Sequence, residues 1–169
     1  SVSTRHIPGA NGVTITIAYA GGTAADPPGR EGLASLLAEL QFMADAGDLP
    51  GRRREEMPGL RPLGWNIKIA PRYVALTENA PVGQFPGVLH QVAQRARGVT
   101  VTDAELRAAI ATVSADLRGN YRDHVERALY YGVRAAAEPG APGAADRYAS
   151  GGGFKGLAPR AVQALLGAR

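Results

Sequence analysis

The alternation of apolar and polar residues predicts a short strand followed by a helix near the start of the chain. Residues 13–20 alternate β-branched or aromatic residues with small or polar ones, which is typical of a half-buried strand. Between residues 33 and 40, four leucines recur at spacings of three and four, which places them on one side of a helix. Prolines and Glu31 suit a first helical turn, so we expect this helix to run from about Pro28 to about Asp45.

Two further apolar runs lie on either side of Pro71. Residues 63–70 and 72–77 predict a pair of antiparallel strands, with Trp65 packed in the core. The polar stretch 47–61 is expected to be a surface loop, and a contact with a protein partner is the alternative for it.

The second half of the chain is predicted to be mostly helical. A helix from about Pro86 to Gly98 is expected next, and Thr102 with Glu105 forms the capping-box pattern that opens another, ending near Gly119. The apolar residues expected to face inward from the first of these helices are Phe85, Val88, Leu89, Val92 and Ala96.

A fourth helix, from about Tyr121 to Ala137, carries an apolar row at helical spacing. This row is expected to face the core and consists of Val125, Ala128, Leu129, Val133 and Ala136. Residues 138–153 are rich in glycine and proline and predict a loop, and residues 157–166 predict a last short helix.

Composition narrows the class of protein. The 169 residues, of which 45% are hydrophobic, predict one domain spanning residues 1–169. The chain contains no cysteine, which excludes disulfides and thiolate metal sites. Its net charge is +4, but the arginines alternate with acids along the predicted helices, so no nucleic-acid partner is expected. No apolar run is long enough to cross a membrane and no signal segment is visible, which leaves cytoplasm and periplasm open.

Residues 28–34, which read PGREGLA, and the leucine-rich helix after them resemble the start of the zinc-site helix in pitrilysin/insulinase-type (inverzincin) metallopeptidases. In active members of that family, Gly-Leu-Ala runs straight into H-x-x-E-H. Here residues 35–39 read SLLAE, so Ser35 and Glu39 stand at the two histidine positions and Ala38 at the general-base position. The resemblance therefore implies a degenerate, zinc-free member.

The family's third zinc ligand is a glutamate in a V-x-x-E-x-R segment far downstream. At the corresponding distance this chain has Asp116, within residues 113–118, which read VSADLR. The resemblance spans residues 13–166 and implies an α+β fold, in which helices pack on one face of a mostly antiparallel sheet. It also implies an N-terminal-type lobe of abbreviated length.

A looser resemblance concerns substrate binding. In the family, a G-x-x-N-A segment leads into an edge strand to which the peptide substrate adds as a further strand. Gly64, Trp65 and Asn66 resemble this segment, although Ile67 replaces the alanine.

The side chains at the degenerate positions do not suit zinc catalysis. A catalytic zinc site uses three protein ligands, mostly histidines, and keeps one position for water. A hydroxyl and two carboxylates do not form such a nitrogen-rich site, and Ala38 cannot take a proton from water. The three histidines, His6, His90 and His124, lack ligand spacing. No cofactor is expected on this chain.

The resemblance implies a non-catalytic subunit or lobe, inactive alone. It would pair with a zinc-bearing pitrilysin-like subunit or second lobe to enclose a peptide substrate. Two alternatives stay open: a scaffold or protein-binding module without any role in proteolysis, and a metalloendopeptidase with an atypical metal site at Glu39 and Asp116.

Overall fold

The computed structural model describes residues 3–49, 65–137 and 150–167. Within these ranges the fold is α+β, as predicted, and its strands form an antiparallel sheet. The elements in chain order are β1 (Gly12–Ala20), α1 (Leu33–Met43), β2 (Trp65–Ile69), β3 (Tyr73–Pro81), α2 (Phe85–Arg97), α3 (Asp103–Asp123), α4 (Val125–Ala137) and α5 (Pro159–Gly167).

The sheet is built around its last strand. The order of the described strands is β1, β3, β2, and β3 pairs antiparallel with both neighbours. Val74 of β3 lies opposite Tyr19 on one side and Ile69 on the other, so these three residues share one face of the sheet. That face packs against α1, because Val74 forms a buried cluster with Ala34 and Ala38.

The other face of the sheet carries hydroxyl and amide side chains. Thr14 Oγ1 donates a hydrogen bond of 2.7 Å to Asn79 Oδ1, and the hydroxyls of Thr16 and Thr77 are 3.0 Å apart. Cross-strand pairs of this kind stabilise antiparallel neighbours, and they hold β1 in register with β3.

The main core lies on the side of α1 that faces away from the sheet. Leu36 and Leu40 of α1 are fully buried with Val113 and Leu117 of α3 and with Val162 of α5. Because α1 lies between this core and the sheet, nearly every residue from Leu33 to Phe42 is buried. A helix buried on all sides is expected to be apolar all round, and here the two acids within or next to it are exceptions.

Helices α1 and α3 run antiparallel. Gly32, at the start of α1, lies beside Leu117 near the end of α3: an ideal Cβ on Gly32 would be 2.8 Å from Leu117 Cδ1. At the other end, the backbone N–H of Asp45 donates to Glu105 Oε1 over 3.2 Å. The capping box predicted at Thr102 is present, with the side chain of Glu105 accepting from the Thr102 N–H at 2.7 Å.

Several predicted boundaries are wrong by one turn. Helix α1 begins at Leu33 and not at Pro28, because Gly32 adopts a left-handed conformation with φ 90° that no right-handed helix contains. Helix α3 continues past Gly119 to Asp123, so α4 begins at Val125.

The inward face predicted for α2 is also wrong. Val92 is buried as expected, but Phe85 is 37% and Leu89 is 45% exposed, and Ala96 is exposed too. The other buried residue of α2 is Arg95, whose Nη1 donates to the Ala44 carbonyl at 2.7 Å. A positive charge at the C-terminal carbonyls of a neighbouring helix interacts favourably with the helix dipole, and an apolar pattern cannot reveal such a contact.

The apolar row predicted to bury α4 faces solvent instead. Val125 is 72%, Leu129 63% and Val133 67% exposed, and Ala136 is exposed as well. The described core is formed mainly by α1, α3 and α5, and α4 contacts α3; none of the α4 side chains that the structure describes belongs to that core. Among the described residues nothing covers this row. None of the helices in the described ranges combines the length and apolar character needed to cross a membrane.

Candidate functional site

The start of α1 is fixed by a carboxylate seven residues upstream. Asp26 Oδ2 accepts a hydrogen bond from the Gly32 N–H at 2.9 Å, and Asp26 Oδ1 accepts one from the Ala34 N–H at 2.7 Å. These are two of the N–H groups that a helix leaves without partners in its first turn. Asp26 therefore acts as the N-cap, although Gly32 is the residue at the cap position. No capping pattern in the local sequence indicates this role, because Asp26 lies seven residues before the first residue of the helix.

Ala38, at the position where the resemblance expects a general base, is fully buried. Its methyl group belongs to the small apolar cluster with Ala34 and Val74, and Ile67 and Leu76 pack against that cluster. A methyl group in an apolar cluster contributes to packing and has no proton chemistry.

The three oxygen-bearing candidates lie in different surroundings. Ser35 is partly exposed, Glu39 is 4% exposed within α1, and Asp116 lies on the exposed side of α3. Glu39 and Asp116 both interact with other groups of the protein. That these residues occupy a former zinc site stays a prediction.

The donor atoms at these positions do not match a zinc peptidase site. A serine hydroxyl and two carboxylates supply only oxygen ligands, whereas the zinc sites of peptidases include imidazole nitrogen ligands. Across residues 3–49, 65–137 and 150–167, no three histidine, aspartate or glutamate side chains are grouped so that they could hold a metal ion. We therefore derive no catalytic step through zinc on this chain.

The histidines are dispersed over the surface. His90 Nε2 lies 3.7 Å from Asp48 Oδ1, and His124 Nδ1 lies 3.3 Å from Glu126 Oε1. The histidine side chains in these pairs are about half exposed, and His6 is exposed near the N-terminus. Exposed pairs of this kind contribute little to stability.

The candidate substrate-binding segment is described only in part. Gly64 lies outside the described residues. Trp65 and Asn66 begin β2, where they pair with Glu78 and Thr77 of β3. Within the described sheet β2 is an edge strand, as the resemblance implies, and a role of these residues in peptide binding stays a prediction.

A small cleft lies next to the start of α1. It has a volume of about 190 Å³ and is lined by Leu33 and Leu37 of α1, by Leu165 of α5, and by Gly21 and Gly22, which follow β1. Pockets that hold drug-sized ligands are larger, at about 300–1,000 Å³, so this cleft is not a substrate chamber by itself.

Comparison with known proteins gives matches in structure only. No protein-family model and no curated protein sequence matches the chain. Among solved structures, a protease from Helicobacter pylori superposes with a TM-score of 0.72 at 13% identity, over 93% of this chain and 38% of that protein. Pitrilysin superposes with a TM-score of 0.69 at 20% identity, over 95% of this chain and 17% of that protein.

The chain thus spans well under half the length of either protein that it matches. At these identities the likeness establishes the fold and leaves function to be argued from the residues. The fold predicted from the resemblance is the one observed: an α+β lobe with the architecture found in pitrilysin.

Proposed function

We propose that this chain is a pitrilysin-like lobe without a working zinc site, which pairs with a zinc-bearing partner to enclose peptide substrates. In this role it contributes walls and contacts to the chamber, and the partner supplies the metal and the general base. On its own the chain has no peptidase activity.

The observation that carries the proposal is the environment of Ala38. Its side chain is fully buried between α1 and the sheet, in contact with the cluster around Val74. The position that needs a proton acceptor in an active peptidase is therefore used here for packing. Loss of a general base alone typically costs about 10²–10⁴-fold in rate.

The register of α1 and α3 supports a retained frame around the lost site. Ser35 and Glu39 each precede a residue of the α1–α3 core, Leu36 and Leu40, by one position. Asp116 likewise precedes Leu117 by one position. Successive residues of an α-helix lie about 100° apart around its axis. In two antiparallel helices, the residues that directly precede residues facing the shared seam therefore lie on the same side of that seam. All three positions therefore belong to one side of the α1–α3 seam.

The proposal is tested with the purified chain, zinc and an unstructured peptide, with and without a co-expressed pitrilysin-like subunit that carries H-x-x-E-H. We expect no cleavage by the chain alone, a stable complex with the partner, and faster cleavage by the complex than by the partner alone. Zinc-dependent cleavage by the isolated chain that disappears on Glu39→Ala would refute the proposal and favour the atypical metallopeptidase.

One observation fits the second candidate, a scaffold or protein-binding module, as well as the first. Val125, Leu129 and Val133 form an exposed apolar row on one side of α4. Apolar residues scattered singly over a surface need no explanation, whereas a group of them marks an interaction site. Both candidates use protein contacts, so the row alone does not separate them. The partner does: one that bears H-x-x-E-H supports the processing lobe, and a stable complex whose members all lack that motif supports the scaffold.

A further inference from the structure

Residues 150–155, here called the glycine strap, cross the start of α1 and the end of α3. The strap is held to the turn that precedes α1 by backbone and arginine contacts. The Gly153 N–H donates to the Glu31 carbonyl at 2.8 Å. Arg30 Nη1 donates to the carbonyls of Gly153 at 3.3 Å and Lys155 at 2.8 Å.

On the side of α3, the strap approaches the helix backbone closely. Arg118 Nη1 donates to the Ser150 carbonyl at 3.2 Å. An ideal Cβ on Gly151 would lie 2.9 Å from the Ser114 carbonyl oxygen, so only glycine allows this approach. Ser114 and Arg118 each follow a core residue of α3, which puts the strap on the side of the seam opposite to Asp116.

One large apolar side chain of the strap is buried in the core. Phe154 is 7% exposed, and its ring lies against Gly32, where an ideal Cβ would be 3.1 Å from Cζ. Phe154 and Leu117 thus occupy the space that a side chain at position 32 would need. Helices α1 and α3 and the strap are therefore closely packed around Gly32.

We propose that the glycine strap opens and closes over the first turn of α1 as a local unit, with Arg30 as the side chain that holds it closed. Among the described residues, the strap is held to the turn before α1 and to α3 by hydrogen bonds to backbone groups, by close approaches of its glycines and by the ring of Phe154. Three consecutive glycines gain more conformational freedom on release than other residues. Segments with few apolar contacts and partly exposed hydrogen bonds open at lower free energy than the core.

Opening of the strap has a defined consequence. It removes the Phe154 ring from the end of the α1–α3 seam and uncovers Gly32 and Leu117. It leaves the sheet and the Asp26 cap in place, because neither contacts the strap through any of the bonds described above. The strap therefore controls access to the α1–α3 seam from the side away from Ser35 and Asp116.

The test is residue-resolved hydrogen exchange by NMR on the full chain. Arg30→Ala is compared with Arg107→Ala, which removes an exposed arginine near the start of α3, toward the other end of the helix from Ser114 and Arg118. We expect exchange of the Gly153 and Leu157 amides to rise about tenfold or more in Arg30→Ala, since a hydrogen bond to a charged group is lost. Amides of β3, such as Ala75, should stay within about twofold of the parent.

Phe154→Leu provides a second, independent variant, because it shortens the buried ring and leaves every hydrogen bond possible. We expect this variant, too, to accelerate hydrogen exchange of the Gly153 amide relative to that of the Ala75 amide. The proposal is overturned if Gly153 exchanges no faster than Ala75 in all variants, or if Arg30→Ala accelerates both by the same factor. Either result means that the strap opens only when the whole fold does.

Discussion

The carboxylate of Asp26 holds the backbone N–H of Ala34 at 2.7 Å, across eight residues of sequence. The same carboxylate accepts from Gly32, so one side chain determines where α1 begins. Since α1 separates the main core from the sheet and carries Ser35, Ala38 and Glu39, the position of the candidate site depends on this cap.

Removal of the cap should destabilise the fold measurably. We expect Asp26→Ala to lower the free energy of unfolding by about 1–2 kcal/mol, because two first-turn N–H groups lose their acceptor. Asp26→Asn keeps an acceptor oxygen and should cost less. Urea unfolding measures both, with Asp123→Ala as control: Asp123 ends α3, where a negative charge opposes the helix dipole, so its loss should cost nothing. An equal loss in Asp26→Ala and Asp123→Ala would contradict this account of the cap.

The glycines divide into those the fold requires and those it tolerates. An ideal Cβ on Gly22 would lie 1.8 Å from the Ala70 carbonyl oxygen, so Gly22→Ala forces the backbone apart. We expect a loss of at least about 2 kcal/mol for this substitution. Gly119 and Gly132 lie within α3 and α4 with room for a methyl group, and alanine there should stabilise by about 0.5–1 kcal/mol each.

Thermal unfolding compares the three alanine variants directly. A gain for Gly119→Ala and Gly132→Ala together with a loss for Gly22→Ala is the expected order. If Gly22→Ala matched the parent in stability, the close approach between the end of β1 and the β2–β3 turn would not exist in solution.

Sequence patterns succeeded where both partners of an interaction are local. The capping box was predictable because Thr102 and Glu105 are three residues apart, and β1 because alternation is a property of one strand. The position of β3 between β1 and β2 was not, since strand order depends on contacts between distant segments. Asp26 and Gly32 show the same limit for helix starts: a remote cap and a left-handed glycine override the prolines upstream.

The helix faces were harder to predict, for a physical reason. Periodicity identifies an apolar side of a helix but does not identify what that side contacts. On α2 the buried polar residue is Arg95, bound to the Ala44 carbonyl, and on α4 four of the five residues in the predicted inner row are exposed. Of the candidate site, the sequence supplied the identities of Ser35, Ala38 and Glu39, and the structure added that Ala38 packs on the sheet.

The exposed row of α4 should contribute much less to the stability of the isolated chain than the buried core does. Leu129→Gln and Val133→Gln should each change the free energy of unfolding of the isolated chain by less than about 0.5 kcal/mol, because these side chains already face water. Leu36→Ala, by contrast, opens a cavity at a fully buried position and should cost about 2–5 kcal/mol. Denaturant titration of the monomeric chain provides the comparison. A cost above about 2 kcal/mol for either glutamine variant would mean that α4 is covered in solution.

The proposal that the chain retains the frame of a zinc site can be tested by placing zinc ligands at its three positions. We expect the triple variant Ser35→His, Glu39→His and Asp116→Glu to bind one zinc ion, because two histidines one helical turn apart and a carboxylate from α3 supply the donor set that zinc prefers. Ala38 is left unchanged, so that binding is measured without the general base. Zinc affinity is read by competition with a chromophoric chelator.

The matched control carries the same two histidines with Asp116→Gln, which removes the charge of the third ligand but keeps its size. Its zinc affinity should fall by at least about tenfold, since loss even of an outer-shell partner commonly costs that much. Far-UV circular dichroism of both variants establishes that they fold. Equal zinc affinity in the two folded variants would place Asp116 away from the histidine pair, and the inference that all three positions share one side of the α1–α3 seam would then be wrong.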